Sequence, residues 1–203
     1  MNLKVFLKWL FVLNLAILAS YLLIKNIVNV DFSYESYFKI ENLIVILIVP
    51  VIEEFVYRWG LVFSPKSFAF MLVSIPVIHL TSIIGLFYNT MEVIWLISII
   101  SIVLVSVFVY FFLSRRIKDN ISFYSQFHKK NFSIIFWLSL ILFVLSHYSN
   151  YEQYSFFIKL YFLISIFFSG WVFSKVRISK GIWFSILLHI TFIFTSGFII
   201  SKI

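Results

Sequence analysis

No cysteine occurs in the 203 residues. That excludes disulfides, thiolate metal sites and a cysteine nucleophile, and leaves the compartment open. Charge is scarce as well: 12% of the chain is Asp, Glu, Lys or Arg, against roughly 25% in soluble domains. The polar–apolar alternation of a membrane β-barrel is missing, as are internal repeats, low-complexity tracts and any sign of a second domain. What remains is 63% hydrophobic and 22% aromatic, with a mean hydropathy of +1.07. A water-soluble core of this length cannot absorb so much apolar surface. Lipid requires every backbone polar group to be satisfied within the protein, which helices do. The sequence therefore predicts an all-α, polytopic integral membrane helix bundle forming a single transmembrane domain over 1–203.

The apolar runs are continuous and about 18–22 residues long, the length of a spanning helix. Seven are predicted: 3–24, 42–63, 68–88, 92–113, 132–149, 156–174 and 182–201. The first carries Lys4 and Lys8 at its start, has no small-residue cleavage site and is longer than a usual signal-peptide core, so it reads as a retained span. Basic residues fall in alternate connections: Lys4 and Lys8; Arg58 and Lys66; Arg115, Arg116, Lys118, Lys129 and Lys130; Lys175, Arg177 and Lys180. The other connections, 25–41, the turn near Asn89–Glu92 and 149–155, are acid-containing or nearly uncharged. The positive-inside rule then sets the N-terminus in the cytoplasm and the C-terminus outside. The net charge of +8 is read as topology and contact with anionic lipid, with no nucleic-acid partner. Trp9, Trp59, Trp95, Trp137, Trp171 and Trp183 fall mostly near span ends, as interfacial anchors do.

Against this background one segment stands out: Glu53-Glu54-Phe55-Val56-Tyr57-Arg58. A charge near the bilayer centre costs at least ~2.5–3.5 kcal/mol, so such residues pair, face a hydrated cavity or do chemistry. On an α-helix Glu54 and Arg58 share a face and can pair, with Glu53 turned about 100° away. One carboxylate is then held and its neighbour is free to act as a base. The bland alternative is a charge cluster that ends the span. His147 follows Ser139 and Phe143 at four-residue spacing, with Asn150 and Tyr151 beyond. His189 lies inside the last span, one turn after Ser185. Alone, each histidine reads as an interhelical hydrogen-bond partner. With two glutamates and an arginine, the set suits water activation and oxyanion stabilisation. His79 follows Pro76, which is predicted to kink its helix, and ranks below His147. His128 falls in a basic loop and needs no special role.

These residues resemble the CPBP family, which holds the type II CAAX prenyl endopeptidases and the bacteriocin-processing and self-immunity (Abi) proteins. Its EExxxR motif is similar to Glu53–Arg58, with Tyr57 where Phe is usual. Its FxxxH motif, with a small residue four positions earlier, is similar to Ser139, Phe143 and His147. Its third region resembles Phe168-Ser169-Gly170, the basic turn Lys175 to Lys180, Gly181, Ser185 and His189. The three blocks cover roughly 42–193. The resemblance implies a metal-free intramembrane endopeptidase that cleaves a peptide or small membrane protein. In it Glu53 activates water, His147 assists, His189 stabilises the oxyanion, and Glu54 and Arg58 hold the motif helix. No cofactor is expected, although Glu53, His147 and His189 could offer three ligands to zinc. A chain this short resembles bacterial members, and so an inner-membrane location.

One departure opens a second reading. The family commonly carries Asn or another polar residue four after the last histidine; here that position is Ile193, which cannot donate a hydrogen bond. Asn150 is a substitute donor from another helix. Otherwise the chain is a weakened or inactive relative serving as a membrane scaffold or self-immunity protein. A small transporter that relays protons through the buried acids and histidines is a third reading, though interrupted helix pairs are not evident. Depth is the weak link. Counted along straight spans at 1.5 Å per residue, His147 lies roughly 22 Å in and His189 roughly 10 Å, with Glu53 somewhat deeper than His189.

Overall fold

The computed structural model describes residues 7–15, 22, 40–87, 92–151 and 154–200, and of these 40–45, 81–87, 92–99, 103 and 197–200 by backbone only. No strand occurs among the described residues. A first helix, α1, covers 7–15. It is followed by α2 (Ile40–Glu53), α3 (Pro65–Phe87), α4 (Glu92–Asp119), α5 (Ile121–Lys130), α6 (Phe132–Ser146), α7 (Phe156–Lys180) and α8 (Ile182–Ile200).

By its contacts the chain forms two compact units: Met1–Glu54 with Phe143–Ile203, and Phe55–Leu142. In the first, α8 packs on both α7 and α2. Its core joins Leu13 of α1 to Val172, Phe173 and Val176 of α7 and to Leu188 and Phe192 of α8. In the second, α3 packs along α4, around Phe68, Ala69, Met71 and Ile117.

Three expectations about elements change. The span predicted over 42–63 is not one α-helix. It runs as α2 to Glu53, then a π turn from Glu54 to Arg58, then a 3-10 turn from Trp59 to Leu61. Pro50 inside α2 removes one rung of the hydrogen-bond ladder shortly before this change. In a π turn the hydrogen bonds run i to i+5, so Glu54 and Arg58 lie on a wider turn than the α-helix expected there. The basic stretch 114–131 is not a loop either: α4 continues to Asp119, and α5 occupies 121–130. Arg and Lys are good helix formers, and the breaks fall at Asn120 and Asn131. Likewise 175–180 forms the last turns of α7, which stop only at Gly181. There φ is +96° and ψ 172°, a region open essentially to glycine alone.

Other boundaries follow local chemistry. Pro65 at the first position of α3 supplies a preset φ. Ser64 Oγ accepts from the Ser67 N–H at 3.1 Å, and Ser67 Oγ accepts from the Ser64 N–H at 3.0 Å. This is a reciprocal cap built from two serines.

Two described helices are long and apolar enough to cross a membrane, Ile100–Asp119 within α4 and Phe156–Lys180. A third is available if α5 and α6, bent by 72°, act as one span. Pro65–Leu80 and Ile182–Ser196 are apolar but shorter. On α4, Leu104, Phe108 and Phe111 are each more than 60% exposed. Large apolar side chains presented this way suit lipid rather than water. The first predicted span lies largely outside the described residues, as do the turn near Asn89 and Glu152. The tryptophans divide. Trp183 is 71% exposed at the start of α8, as an anchor would be. Trp9 and Trp171 instead meet edge to face at 6.5 Å against the first unit's core.

Candidate functional site

Glu53 is the last residue of α2, and Glu54 begins the π turn. His147 sits at the turn directly after α6, and His189 lies two turns into α8. These four residues all belong to the first unit and meet there. Glu53 Oε1 lies 3.2 Å from His147 Nε2, and Glu53 Oε2 lies 3.7 Å from His189 Nε2. Glu54 Oε1 lies 3.1 Å from His189 Nδ1. The difference in depth counted along straight spans does not keep these side chains apart.

The hydrogen bonds fix much of the proton arrangement. A backbone carbonyl can only accept, so the 2.8 Å contact between His147 Nδ1 and the Phe143 carbonyl places a proton on Nδ1. Nε2 therefore faces Glu53 either with its lone pair or with a second proton. Only one hydrogen can lie between that nitrogen and Glu53 Oε1, so the acid and the imidazole share it. His189 is clasped differently, with a carboxylate on each ring nitrogen. Its ring also stacks on Phe173, with centroids 4.2 Å apart and planes at 25°. Phe143, buried, presents an edge to His147 and a more distant one to His189.

Glu54 has a larger part than the sequence suggested. It is fully buried. Ser185 Oγ reaches both Glu54 Oε2 and the Phe173 carbonyl, and Nδ1 of His189 holds the other carboxylate oxygen. A carboxylate behind an imidazole fixes its tautomer and orientation, so Glu54 positions His189 directly. Arg177, which the sequence assigned to a basic loop, is buried on α7 and acts electrostatically on Glu54. Arg177 and Phe173 are the site residues that sequence reasoning missed. Their one signal is a four-residue spacing on a helix taken to end at 174. Phe168, the aromatic chosen instead, is 60% exposed.

Arg58 closes the π turn and is 1% exposed. Ser139 donates to the Tyr57 carbonyl within the second unit. Asn150 lies exposed on a short 3-10 turn, Tyr148–Tyr151, where its backbone N–H donates to the His147 carbonyl at 3.2 Å. Ile193 packs against the apolar core beside Phe173 and Phe192, so the position is filled by packing. His79 meets Tyr57 edge to face. His128 is no loop residue: it is buried, its Nε2 lies 3.0 Å from the Gly60 carbonyl, and Phe63, Phe68 and Phe132 surround it.

Among the described residues no three His, Asp or Glu side chains are arranged to hold a metal ion. The histidine nitrogens are directed at carboxylates and a carbonyl. Chemically, the arrangement can move a proton between Glu53 and His147 and present an N–H from His189. Comparison with protein-family models, with curated proteins and with solved structures gave no match.

Proposed function

We propose that the chain is an intramembrane endopeptidase of the CAAX-protease and bacteriocin-processing type, acting on a peptide or small membrane protein. The observation that carries this reading is the contact of Glu53 with both His147 and His189, at 3.2 and 3.7 Å. In this mechanism Glu53, sharing its proton with His147, removes a proton from a water molecule. The resulting hydroxide attacks the scissile carbonyl and gives a tetrahedral oxyanion. His189 donates an N–H to that oxyanion, held in orientation by Glu54 and Ser185. Glu53 and His147 then return the proton to the departing amine, and a carboxylate and an amine are released. Positioned donors of this kind contribute about 10²–10³ in rate, and acid–base transfer about 10²–10⁴.

The same reading takes the protein as a seven-span protein of the bacterial inner membrane with a cytoplasmic N-terminus. Its partners are the peptide substrate and lipid, with no nucleic acid and no cofactor. The test is a comparison of new peptide N-termini in membranes from bacterial cells expressing the wild type or Glu53→Ala, His147→Ala or His189→Ala. The reading expects a set of cleavages present only with the wild type, while all four proteins insert. The same cleavages produced by Glu53→Ala would remove it.

Ile193 supports a second reading, a non-catalytic relative acting as a membrane scaffold or self-immunity protein. On that reading Glu53→Gln retains the cellular phenotype.

A further inference from the structure

α5 is ten residues long, too short to cross a bilayer, and meets α6 at a bend of 72°. At about 100° per residue, its side chains fall into three sectors. Tyr124 and His128 face the protein: His128 is held by the Gly60 carbonyl and the Phe63, Phe68 and Phe132 rings, and Tyr124 packs against the core of the second unit. Phe123 and Phe127 occupy a neighbouring sector and are 64% and 46% exposed. Ser122, Ser125, Gln126, Lys129 and Lys130 form the third sector, and all are exposed. Apart from Ile121, 51% exposed at the first position and at the edge of the docked sector, the helix therefore has one side docked, one side apolar and open, and one side polar.

Charge adds a second and independent signal. Arg115, Arg116 and Lys118 end α4, and Lys129 and Lys130 end α5, with Asp119 the one acidic residue between them. Arg116 lies over the Phe112 ring at 5.5 Å, so this basic corner begins where the apolar surface of α4 stops. Exposed aromatics beside clustered Lys and Arg, on a helix lying at a steep angle to its neighbour, are the features of a helix in the membrane interface. Basic clusters just beyond a span attract anionic headgroups.

We propose that α5 is an interfacial helix that binds anionic phospholipid, with Phe123 and Phe127 in the acyl boundary and Arg115, Arg116, Lys118, Lys129 and Lys130 on the headgroup phosphates. The occupant is the lipid leaflet itself. The inference rests on the chain's being membrane-embedded and is independent of peptide cleavage.

Because the chain has no cysteine, a fluorophore can be attached at a single introduced site. Phe123→Cys and, separately, Ser125→Cys are labelled in the full chain, with Phe127→Cys as a second apolar-face variant. Each is reconstituted into phosphatidylcholine vesicles carrying equal minor fractions of brominated phosphatidylglycerol or brominated phosphatidylcholine. The label at Phe123 or Phe127 is expected to be quenched at least about fivefold more by the anionic lipid. That preference is expected to fall in the Lys129→Gln/Lys130→Gln background. The label at Ser125 is expected to respond to aqueous iodide and to neither lipid. Equal quenching by the two lipids, a preference undiminished by the double substitution, or iodide access at Phe123 and Phe127 matching that at Ser125 would each overturn the proposal.

Discussion

His189 carries a carboxylate on each ring nitrogen, and this arrangement decides what Glu54 does. With Glu54 ionised, Nδ1 is the donor, and Nε2 presents an N–H to a substrate oxygen only when the ring is doubly protonated. Two carboxylates flank the ring. Glu54→Gln removes one of them while keeping the shape. Hydrogen bonds to charged groups contribute about 1.5–3 kcal/mol. The substitution is expected to lower the cleavage rate about 10- to 100-fold with little change in KM, as steady-state kinetics on a cleaved peptide would read. An unchanged rate would reduce Glu54 to a packing residue. Ile193 gives a sharper case. It packs into an apolar core, and an unpaired amide buried there costs about 1–3 kcal/mol. Ile193→Asn is therefore expected to lower the unfolding temperature in detergent and to give no gain in cleavage. A large gain would mean that the position faces the site after all.

At the scale of elements, glycine and histidine hold the connections. Gly181 adopts a backbone conformation that other residues reach at a cost of about 1–3 kcal/mol, so Gly181→Ala is expected to destabilise by that amount in denaturant unfolding. A Cβ at Gly60 would lie 2.6 Å from Met71 Cβ, and overpacking of this kind costs about 1–3 kcal/mol. Gly60→Ala is expected to show a comparable loss. What the sequence made legible was the existence of these helices and the identity of Glu53, His147 and His189. Continuous apolar runs mark spans, and buried acids and imidazoles mark a site. What it hid were details that apolar runs cannot encode. Nothing in Glu53–Arg58 announces a π turn, and the basic stretches 114–131 and 175–180 looked like loops because charge, rather than a helix breaker, was taken to mark the boundary. That error cost Arg177 its place in the site and His128 its place in the second unit's interior.

For the whole molecule, membrane-capable helices and exposed apolar side chains along α4 support a bilayer setting, and the proposed orientation rests on the alternation of basic residues along the sequence. Reporter fusions are expected to place the N-terminus inside and the C-terminus outside; both ends on one side would require an even number of spans. The central claim is that Glu53, His147 and His189 act as one hydrolytic site. The most direct measurement uses reconstituted protein and a cleaved peptide in ¹⁸O-labelled water, with wild type, Glu53→Gln, His147→Ala and His189→Ala compared at matched folded fraction. The account predicts that wild type places one labelled oxygen in the new terminal carboxylate and that each variant releases far less of that product. Label incorporated at the wild-type rate by Glu53→Gln would contradict it.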